Sequence, residues 1–251
     1  MDLIFGMHSI AEAIKNPKRG AFELFATEDS LKDLQKLHFQ GKKLPESVTT
    51  KVLSLHKLKD EGRATLLGLG FKEQRVPSNI FLKTAALNTL SLNDLYKNIE
   101  SSSSFRALML DQVTDVHNLG AIMRTAAFYN IDCVIYGKKG EERLSPGFFR
   151  IASGAAEHLP LVQAANLSKV LRKFNELNVS CLGLAEEAEN TDSTLASEKV
   201  CLVMGAEETG LSNAVRRSLE TFVSLPAQGP IKSLNVSVAA ALAMEKFLNK
   251  L

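Results

Sequence analysis

The sequence is poor in the features that mark secreted, membrane-spanning or metal-binding proteins. Its three cysteines are an odd number, and each lies inside an apolar run: Cys133, Cys181 and Cys201. We therefore expect neither disulfides nor a metal site, a reducing compartment, and a packing role for these thiols. No basic and apolar leader opens the sequence, and its longest apolar stretch, near 236–244, is too short to span a bilayer. These absences predict a cytoplasmic protein.

Strong net charge and two common nucleotide-binding motifs are also missing. The net charge of +2 does not by itself indicate a nucleic-acid partner. Residues 1–75 carry 13 basic and 10 acidic side chains and residues 105–251 carry 15 and 16, so phosphate contacts are expected to begin in the first part. The chain has neither GxGxxG nor the Gly-Lys-Ser/Thr of a phosphate loop, which disfavours NAD and ATP.

Length and hydrophobic content favour two modest domains or a single large one. With 251 residues, of which 45% are hydrophobic, the chain can bury a substantial core. Residues 1–75 predict a small α/β domain, residues 76–104 a connecting segment, and residues 105–251 a second domain. Pro77 and the four consecutive serines at 101–104 indicate the connection, and Leu90, Leu92 and Leu95 could form a short helix within it.

Short helices and strands alternate in the first domain. Helices are predicted over 9–14 and 30–39, and strands at 22–26, 52–55 and 65–69. Five lysines are the cations expected on its exposed side, although they could equally be ordinary solvated charges: Lys42, Lys43, Lys51, Lys57 and Lys59.

The second domain alternates strand and helix in strict turn. Strands are predicted at 107–110, 133–136, 179–184, 200–204 and 221–224, with helices near 119–129, 146–156, 167–177, 211–219 and 236–248. This alternation predicts a parallel sheet with helices on both faces. Ligands of such sheets bind at the carboxyl ends of the strands.

The stretch 111–126, DQVTDVHNLGAIMRTA, follows the first of these strands and opens a helix. Asn118 is predicted to be the N-cap residue of this helix, and Gly120 allows another group to approach the backbone closely. Arg124 points away from the apolar stripe of the helix, at a strand end where open α/β sheets place their chemistry. A solvated surface arginine is the plainer alternative, and Arg124 alone does not exclude it.

Two later loops also follow strand ends. The segment 202–212, LVMGAEETGLS, contains a GxxxxG turn whose two carboxylates would repel a triphosphate and favour a positively charged ligand. The segment 225–235 is a rigid turn before an alanine-rich helix, with Ser233 and Asn235 able to cap the helix or to bind a ligand. A plain strand-to-helix turn and two helix caps are the alternatives for these loops.

Three segments together resemble motifs one to three of the SpoU branch of the SPOUT RNA methyltransferases, the TrmH-like family: NLGAIMRTA (118–126), LVMGAEETGLS (202–212) and LPAQGPIKSLNVSVAAAL (225–242). The segment IASGAAEHLP (151–160) is also similar to that family. The opening IFGMHSIAEAI (4–14) resembles the L30e-like RNA-binding domain of its ribosomal-RNA members, the RlmB type in particular. His117 departs from the usual proline of motif one, and Asn130 from the glycine that commonly ends the helix.

The resemblance implies a fold, a cofactor and partners. The fold is a C-terminal trefoil-knotted SPOUT domain with a parallel sheet, preceded by a small L30e-like α/β domain that binds the RNA substrate. Members of the family are homodimers, and neither a membrane nor DNA is an expected partner. The implied cofactor is S-adenosylmethionine, without a metal, and seven residues would line its pocket: Met204, Gly205, Ala206, Gly210, Leu225, Ile231 and Leu234.

The reaction that the resemblance implies is methyl transfer to a ribose 2′-hydroxyl in ribosomal RNA, with a guanosine of 23S rRNA as the expected target. The motifs carry over five catalytic positions: Asn118, Arg124, Glu207, Ser233 and Asn235. A guanidinium with a pKa above about 12 is hard to deprotonate, so we expect Arg124 to hold a phosphate and to stabilise the developing alkoxide. A transfer-RNA ribose methyltransferase and a non-catalytic RNA-binding or ribosome-assembly protein are the alternatives.

Overall fold

The computed structural model describes most of the 251-residue chain, namely residues 1–71, 75–137, 144–186, 197–231 and 233–248. Its helices and strands in chain order are β1 (Asp2–Phe5), α1 (Met7–Lys15), β2 (Phe22–Ala26), α2 (Glu28–His38), β3 (Val48–Val52), α3 (Leu55–Gly68), β4 (Ile80–Thr84), α4 (Leu92–Ser101), β5 (Phe105–Leu110), α5 (Val116–Phe128), β6 (Cys133–Gly137), α6 (Pro146–Ala152), β7 (Leu161–Ala164), α7 (Leu167–Glu176), β8 (Ser180–Leu184), β9 (Lys199–Met204), α8 (Asn213–Arg216), β10 (Thr221–Val223) and α9 (Val236–Phe247). A turn of 3-10 helix, Ala155–Glu157, follows α6.

The chain forms two compact units, and each contains one sheet. The first unit comprises Met1–Asn88 and Leu144–His158, and the second comprises Thr89–Arg143 and Leu159–Leu251. The predicted second domain included residues 144–158, which the structure instead places in the first unit. The first unit is therefore assembled from two stretches of chain that are distant in sequence.

Buried polar contacts join the segment 144–158 to the rest of the first unit. Arg19 Nε and Nη2 donate to the two carboxylate oxygens of Glu157 at 3.0 and 2.7 Å, and Ser9 Oγ donates to the Phe149 carbonyl at 2.7 Å. The Arg19 and Glu157 side chains are 1% and 2% exposed, so this ion pair is fully buried. Contacts between residues so far apart in sequence leave no local periodicity, which is why the sequence pattern did not indicate them.

The first unit is a small α/β layer, as its alternating pattern predicted. Its sheet runs in the order β1-β4-β2-β3, with β4 antiparallel to both of its neighbours and β3 parallel to β2. The rings of Phe25 and Phe81 stack with centroids 4.7 Å apart, and Phe5 meets Phe81 edge-on at 6.0 Å. Leu58 and Leu66 of α3 belong to the same buried cluster, so the unit has a core of its own.

Three element predictions for the first part of the chain are wrong. Residues 65–69 were predicted as a strand but include the end of α3, whose buried positions repeat at helical spacing: Leu58, Gly62, Thr65 and Leu66. The strand predicted at 52–55 lies earlier, because β3 ends at Val52. The segment 76–104 was predicted as a connection with at most a short helix near 90–95, yet it contains β4 in addition to that helix, which is α4. β4 is a short apolar run that pairs on both sides, and its flanking turn residues obscured this central position.

Four of the five lysines considered for the first unit are exposed: Lys42, Lys43, Lys51 and Lys57. Lys59 differs, because its Nζ donates to the carbonyls of Val76 and Ser78 at 2.8 and 3.1 Å and so holds the turn before β4. Lys51 also pairs with Glu23 on the neighbouring strand at 3.3 Å.

The second unit contains the predicted parallel sheet. Its six strands run in the order β10-β8-β9-β5-β6-β7, and every pairing between them is parallel. The strands predicted for this part of the chain are all present, whereas β7 was not predicted. The helix predicted at 211–219 is shorter than expected, because α8 covers only Asn213–Arg216.

Both faces of this sheet are buried. Alternate strand residues such as Ala107, Met109 and Val203 share one buried cluster with residues of α4, α7 and α8. The intervening Leu108 and Leu202 are equally buried on the opposite face, where α9 contacts β9 and α5. The three cysteines are free and belong to the first of these clusters, which confirms their packing role. Burial raises the pKa of the Cys133 and Cys201 thiols.

No helix within the described residues combines the length and the apolar character that a membrane span requires.

Candidate active site

Three loops at the carboxyl ends of β5, β9 and β10 form the candidate site, where the parallel sheet was expected to place it. β5 and β9 are neighbours, and their last residues, Leu110 and Met204, are in register. The first two loops are joined directly by Asp111, a buried residue whose carboxylate accepts from the Ser212 backbone N–H at 2.7 Å. The Asp111 N–H in turn donates to the Met204 carbonyl at 2.8 Å. These two bonds fix the loop ends against each other.

The first loop places Asn118 in the first turn of α5 rather than at its N-cap. The cap is Asp115, whose carboxylate accepts from the Asn118 backbone N–H at 2.8 Å. The predicted capping role of Asn118 is therefore wrong, because a carboxylate three residues earlier already satisfies that amide. The Asn118 side chain is consequently available to another loop. At the far end of α5, Asn130 has a φ of 51°, the left-handed conformation expected where a glycine is usual.

The second loop is a closed hairpin, and it is tighter than a plain strand-to-helix turn. Ala206 and Gly210 exchange two backbone hydrogen bonds of 3.1 and 2.8 Å, and Gly210 has a φ of +62°. A Cβ atom added at Gly205 would lie 2.1 Å from the carbonyl carbon of Gly210 and 2.4 Å from the Leu211 nitrogen. Since both atoms belong to backbone, only glycine fits at position 205. The hairpin exposes residues 207–209 at its tip.

The third loop ends at Asn235, which caps α9 and connects all three loops. Its Oδ1 accepts from the backbone N–H and the hydroxyl of Ser237 at 3.0 and 2.6 Å. Its Nδ2 donates to Asn118 Oδ1 at 3.0 Å and to Glu207 Oε2 at 3.2 Å. Asn235 is thus both a helix cap, one of the two roles suggested by the sequence, and a link between motif positions.

A cavity of about 960 Å³ lies between the second and third loops. We call it the larger cavity. All seven residues predicted to bind the cofactor line it: Met204, Gly205, Ala206, Gly210, Leu225, Ile231 and Leu234. Glu207 and Ser233, predicted as catalytic, also line it. The structure therefore brings together a set of residues that the sequence presented in two separate segments.

A second cavity of about 450 Å³, the smaller cavity, lies on the other side of the hairpin. Its described lining comes from residues 112–115, Asn118, the hairpin tip and Val236. The stretch 206–209 and Val236 line both cavities, so the two spaces share a wall. No group of three or more potential metal ligands occurs among the described residues.

Arg124 is the predicted catalytic residue that the structure does not bring into this site. It lies six residues after Asn118 on α5, is exposed, and lines neither cavity. Within the described part of the chain it makes no hydrogen bond or ion pair. A single copy of the chain therefore assembles Asn118, Glu207, Ser233 and Asn235 without it.

Several residues of the site were not among the predicted catalytic or cofactor-binding residues. Asp111 and Asp115 order the first loop, and Glu208 lines both cavities. The spacing of Asp115 three residues before Asn118 was a usable capping signal. Glu186, from the end of β8, carries no comparable signal, because only the sheet order brings it to the larger cavity.

Comparison with known proteins gives a consistent family assignment. A profile described as the SpoU rRNA Methylase family matches residues 106–245. The chain is 39% identical over 153 residues, 61% of its own length, to the 23S rRNA (guanosine-2′-O-)-methyltransferase RlmB of Yersinia pestis, and this match spans 62% of that relative. It is 31% identical over 244 residues to the RlmB of Pasteurella multocida, covering 96% of this chain and 95% of that one.

Solved structures show a similar fold. The SpoU methyltransferase AviRb from Streptomyces viridochromogenes, solved with AdoMet, superposes with a TM-score of 0.73 at 20% identity, covering 97% of this chain and 88% of that chain. An AdoMet-bound rRNA methyltransferase from Sinorhizobium meliloti gives a TM-score of 0.71 at 17% identity, with 98% and 85% coverage. At these identities the likeness concerns the fold alone. The match over 106–245 and the full-length relative establish that this chain belongs to the SpoU rRNA methylase family.

Proposed function

We propose that this protein transfers the methyl group of S-adenosylmethionine to a ribose 2′-hydroxyl of ribosomal RNA, with a guanosine of 23S rRNA as the target. The observation that carries the proposal is the hydrogen-bonded group of Asn118, Asn235 and Glu207 beside two cavities that share a wall. The larger cavity suits the methyl donor, and the smaller cavity suits the nucleoside that accepts the methyl group. Membership of the SpoU family supports this assignment, and a cytoplasmic location follows from it.

The larger cavity suits S-adenosylmethionine in its volume, its apolar lining and its charge. Its volume of about 960 Å³ is within the range of small-molecule sites. Leu225, Ile231 and Leu234 offer apolar surface for a purine ring, and the hairpin at Gly205 brings backbone groups to the cavity wall. Its described lining holds four carboxylates against two cations, which suits a positively charged ligand: Glu186, Glu207, Glu208 and Glu245 against Arg216 and Lys246. When bound, the cofactor supplies an activated methyl group.

The residues of this chain would position the acceptor ribose. Asn235 holds the Glu207 carboxylate at 3.2 Å, and this carboxylate can accept a hydrogen bond from the 2′-hydroxyl. Ser233 is exposed at the edge of the larger cavity and can donate to the ribose or the cofactor. Holding two reactants in line removes several kcal/mol of entropic barrier, about 7 or more in favourable cases. Positioning is therefore the main contribution that we assign to this group.

We extend the proposal to a homodimer in which Arg124 of the partner subunit completes each site. Arg124 and Phe128 are four residues apart on α5 and so lie on one face of that helix. Phe128 is 82% exposed, and on the neighbouring α9 Val238 and Leu242 are each 48% exposed. If a second copy of the chain covered this apolar surface, the guanidinium of its Arg124 would approach the site of the first copy. There it would hold a phosphate and stabilise the alkoxide that develops as the methyl group moves.

The first unit is proposed to bind the RNA substrate as an L30e-like domain. Its alternating α/β sheet and the exposed Lys42, Lys43 and Lys57 support this role, since cations that contact phosphates give sequence-independent affinity. The second unit is proposed to contain the trefoil knot of its family, with the loop before α9 as part of the cofactor site. Limited proteolysis of the RNA complex would test the first role, because the first unit should be protected.

Mapping ribose methylation tests the proposed function. Ribosomal and transfer RNA from cells lacking the gene would be incubated with the purified protein and S-adenosylmethionine, and 2′-O-methyl marks would be read at single-nucleotide resolution. We expect one guanosine of 23S rRNA to gain a mark. A mark on transfer RNA alone would replace the proposed substrate. Binding of RNA without methylation or cofactor affinity would replace the enzyme by a non-catalytic binding protein.

A further inference from the structure

The smaller cavity has a chemical character that distinguishes it from a phosphate or cofactor site. Among the described residues its polar lining consists of Gln112, Thr114, Asp115, Asn118, Glu207, Glu208 and Thr209. Three of these side chains are carboxylates, and no lysine or arginine of the described chain lines the cavity. Phosphate would be repelled there, whereas a neutral group rich in hydrogen-bond donors would be held. A nucleobase is such a group, and the cavity volume of about 450 Å³ is in the range of small-molecule sites.

Two of the three carboxylates are already engaged within the protein. Asp115 accepts from the Asn118 backbone at 2.8 Å, and Glu207 accepts from Asn235 at 3.2 Å. Glu208 is exposed and makes no hydrogen bond or ion pair with any residue that the structure describes. Among the described lining residues, Glu208 is therefore the carboxylate with both oxygens available to a ligand, as recognition of two adjacent donors requires.

The geometry points to Glu208 as the residue that selects guanine at the target nucleoside, with the base in the smaller cavity. This inference rests on the proposed function and deepens it. Guanine places N1–H and the N2 amino group side by side, so that one carboxylate accepts from both. Adenine and cytosine each offer a single donor group beside an acceptor on that edge, and uracil offers one N–H between two carbonyls. A free carboxylate in this position therefore favours guanine over the other three bases.

The placement of the two cavities is consistent with this selection. The stretch 206–209 forms a wall common to both, and Asn118 and Glu207 lie at the smaller cavity. A base held beside Glu208 would leave its ribose near Glu207 and Asn235, next to the methyl donor. Asn118 accepts from Asn235 through its Oδ1, so its amide nitrogen is not used in that contact. This nitrogen can donate to a carbonyl or ribose oxygen of the same nucleoside.

Guanosine and inosine provide the sharpest test, because they differ only by the N2 amino group. A synthetic RNA hairpin containing the mapped target would be made with guanosine or inosine at that position. Its affinity for the cofactor-free protein would be measured by fluorescence anisotropy, and its methylation rate would be measured in parallel. We expect the wild-type protein to favour guanosine by about 10- to 100-fold, the effect of one hydrogen bond to a charged group. In Glu208→Gln this preference should fall to within about threefold. The side-chain amide nitrogen of glutamine is itself a hydrogen-bond donor, so it cannot accept from a guanine N–H group.

Glu220→Gln is the matched control, because Glu220 is exposed in the same unit and lines neither cavity. It should keep the wild-type preference. Because Glu208 also borders the larger cavity, S-adenosylmethionine affinity would be measured by calorimetry for each variant. If both hairpins lose affinity equally in Glu208→Gln, the preference for guanosine is unchanged and the inference is overturned. An unchanged preference together with weaker S-adenosylmethionine binding would assign Glu208 to the cofactor site instead. In either case methylation by the wild-type protein would leave the proposed function standing. Failure of the wild-type protein to bind or methylate any RNA would reject both.

Discussion

The amide nitrogen of Asn235 lies 3.0 Å from the amide oxygen of Asn118, a residue 117 positions earlier in the chain. The oxygen of Asn235 is occupied by Ser237 at the start of α9, so the orientation of its amide is determined by the helix cap. The same nitrogen reaches Glu207 at 3.2 Å. One capping residue therefore orders the polar groups of all three loops.

Replacing Asn235 should separate its two roles. Asn235→Asp keeps the capping oxygen but loses both donated hydrogen bonds and places a second carboxylate beside Glu207. We expect nearly unchanged unfolding free energy with methylation reduced about 10- to 100-fold, the size of effect caused by small misplacement of reactants. Asn235→Ala should lose the same activity and about 1 kcal/mol of stability from the missing cap. Urea unfolding and initial rates would be compared, and equal stability losses in the two variants would contradict this division.

Gly205→Ala should abolish cofactor binding. The added Cβ would lie 2.1 Å from the carbonyl carbon of Gly210, so the hairpin has to open and the wall of the larger cavity is lost. Gly229→Ala is the control, because a Cβ at Gly229, in the third loop, meets no atom within 4 Å. Calorimetric titration with S-adenosylmethionine should give no measurable binding for the first variant and wild-type affinity for the second. Retained affinity in Gly205→Ala would show that the hairpin does not form the cofactor site.

Arg124→Ala should leave the protein folded and able to bind cofactor but unable to methylate RNA, since Arg124 is exposed and lines neither cavity. Arg217→Ala, which removes another exposed arginine of the same unit, should remain active.

Mixing Arg124→Ala with Asn118→Ala tests whether the arginine acts across a dimer. Each mixed dimer would contain one site with both wild-type residues, and random exchange makes about half of the dimers mixed. About a quarter of wild-type activity should therefore return. If Arg124 serves its own chain, mixing the two inactive variants will restore nothing.

Arg19→Ala should destabilise the first unit more than any surface substitution. It leaves the Glu157 carboxylate buried without its partner, and breaking a buried ion pair in this way costs about 3–5 kcal/mol. Burial lowers the pKa of Arg19, but its bonds to Glu157 and Asp2 outweigh that effect and raise the pKa, so the guanidinium remains charged. Chemical unfolding would measure the loss, with the exposed Lys18→Ala as control. A change below about 1 kcal/mol would show that the segment 144–158 is held by other contacts.

Much of the second unit could be predicted because its strands are short apolar runs buried on both faces of a parallel sheet. Such runs are recognisable locally, and their carboxyl ends made the segments at 111–126, 202–212 and 225–235 the candidate ligand-binding loops. β4 and β7 escaped prediction although they are similar runs, because turn residues flank the first and β7 has only four residues. The end of α3 was mistaken for a strand, since a few apolar residues fit both periods.

Residue types and their spacing were enough to indicate the fold class of the second unit and the buried thiols, because both depend on the periodicity of apolar residues. The segments that line the larger cavity were indicated by the resemblance of three motifs to a known family. Tertiary structure decided which unit holds residues 144–158, and that Arg124 stands apart from Asn118, Glu207 and Asn235 within one chain. These outcomes depend on contacts between residues more than 20 positions apart, or on the absence of such contacts, and no local pattern encodes them.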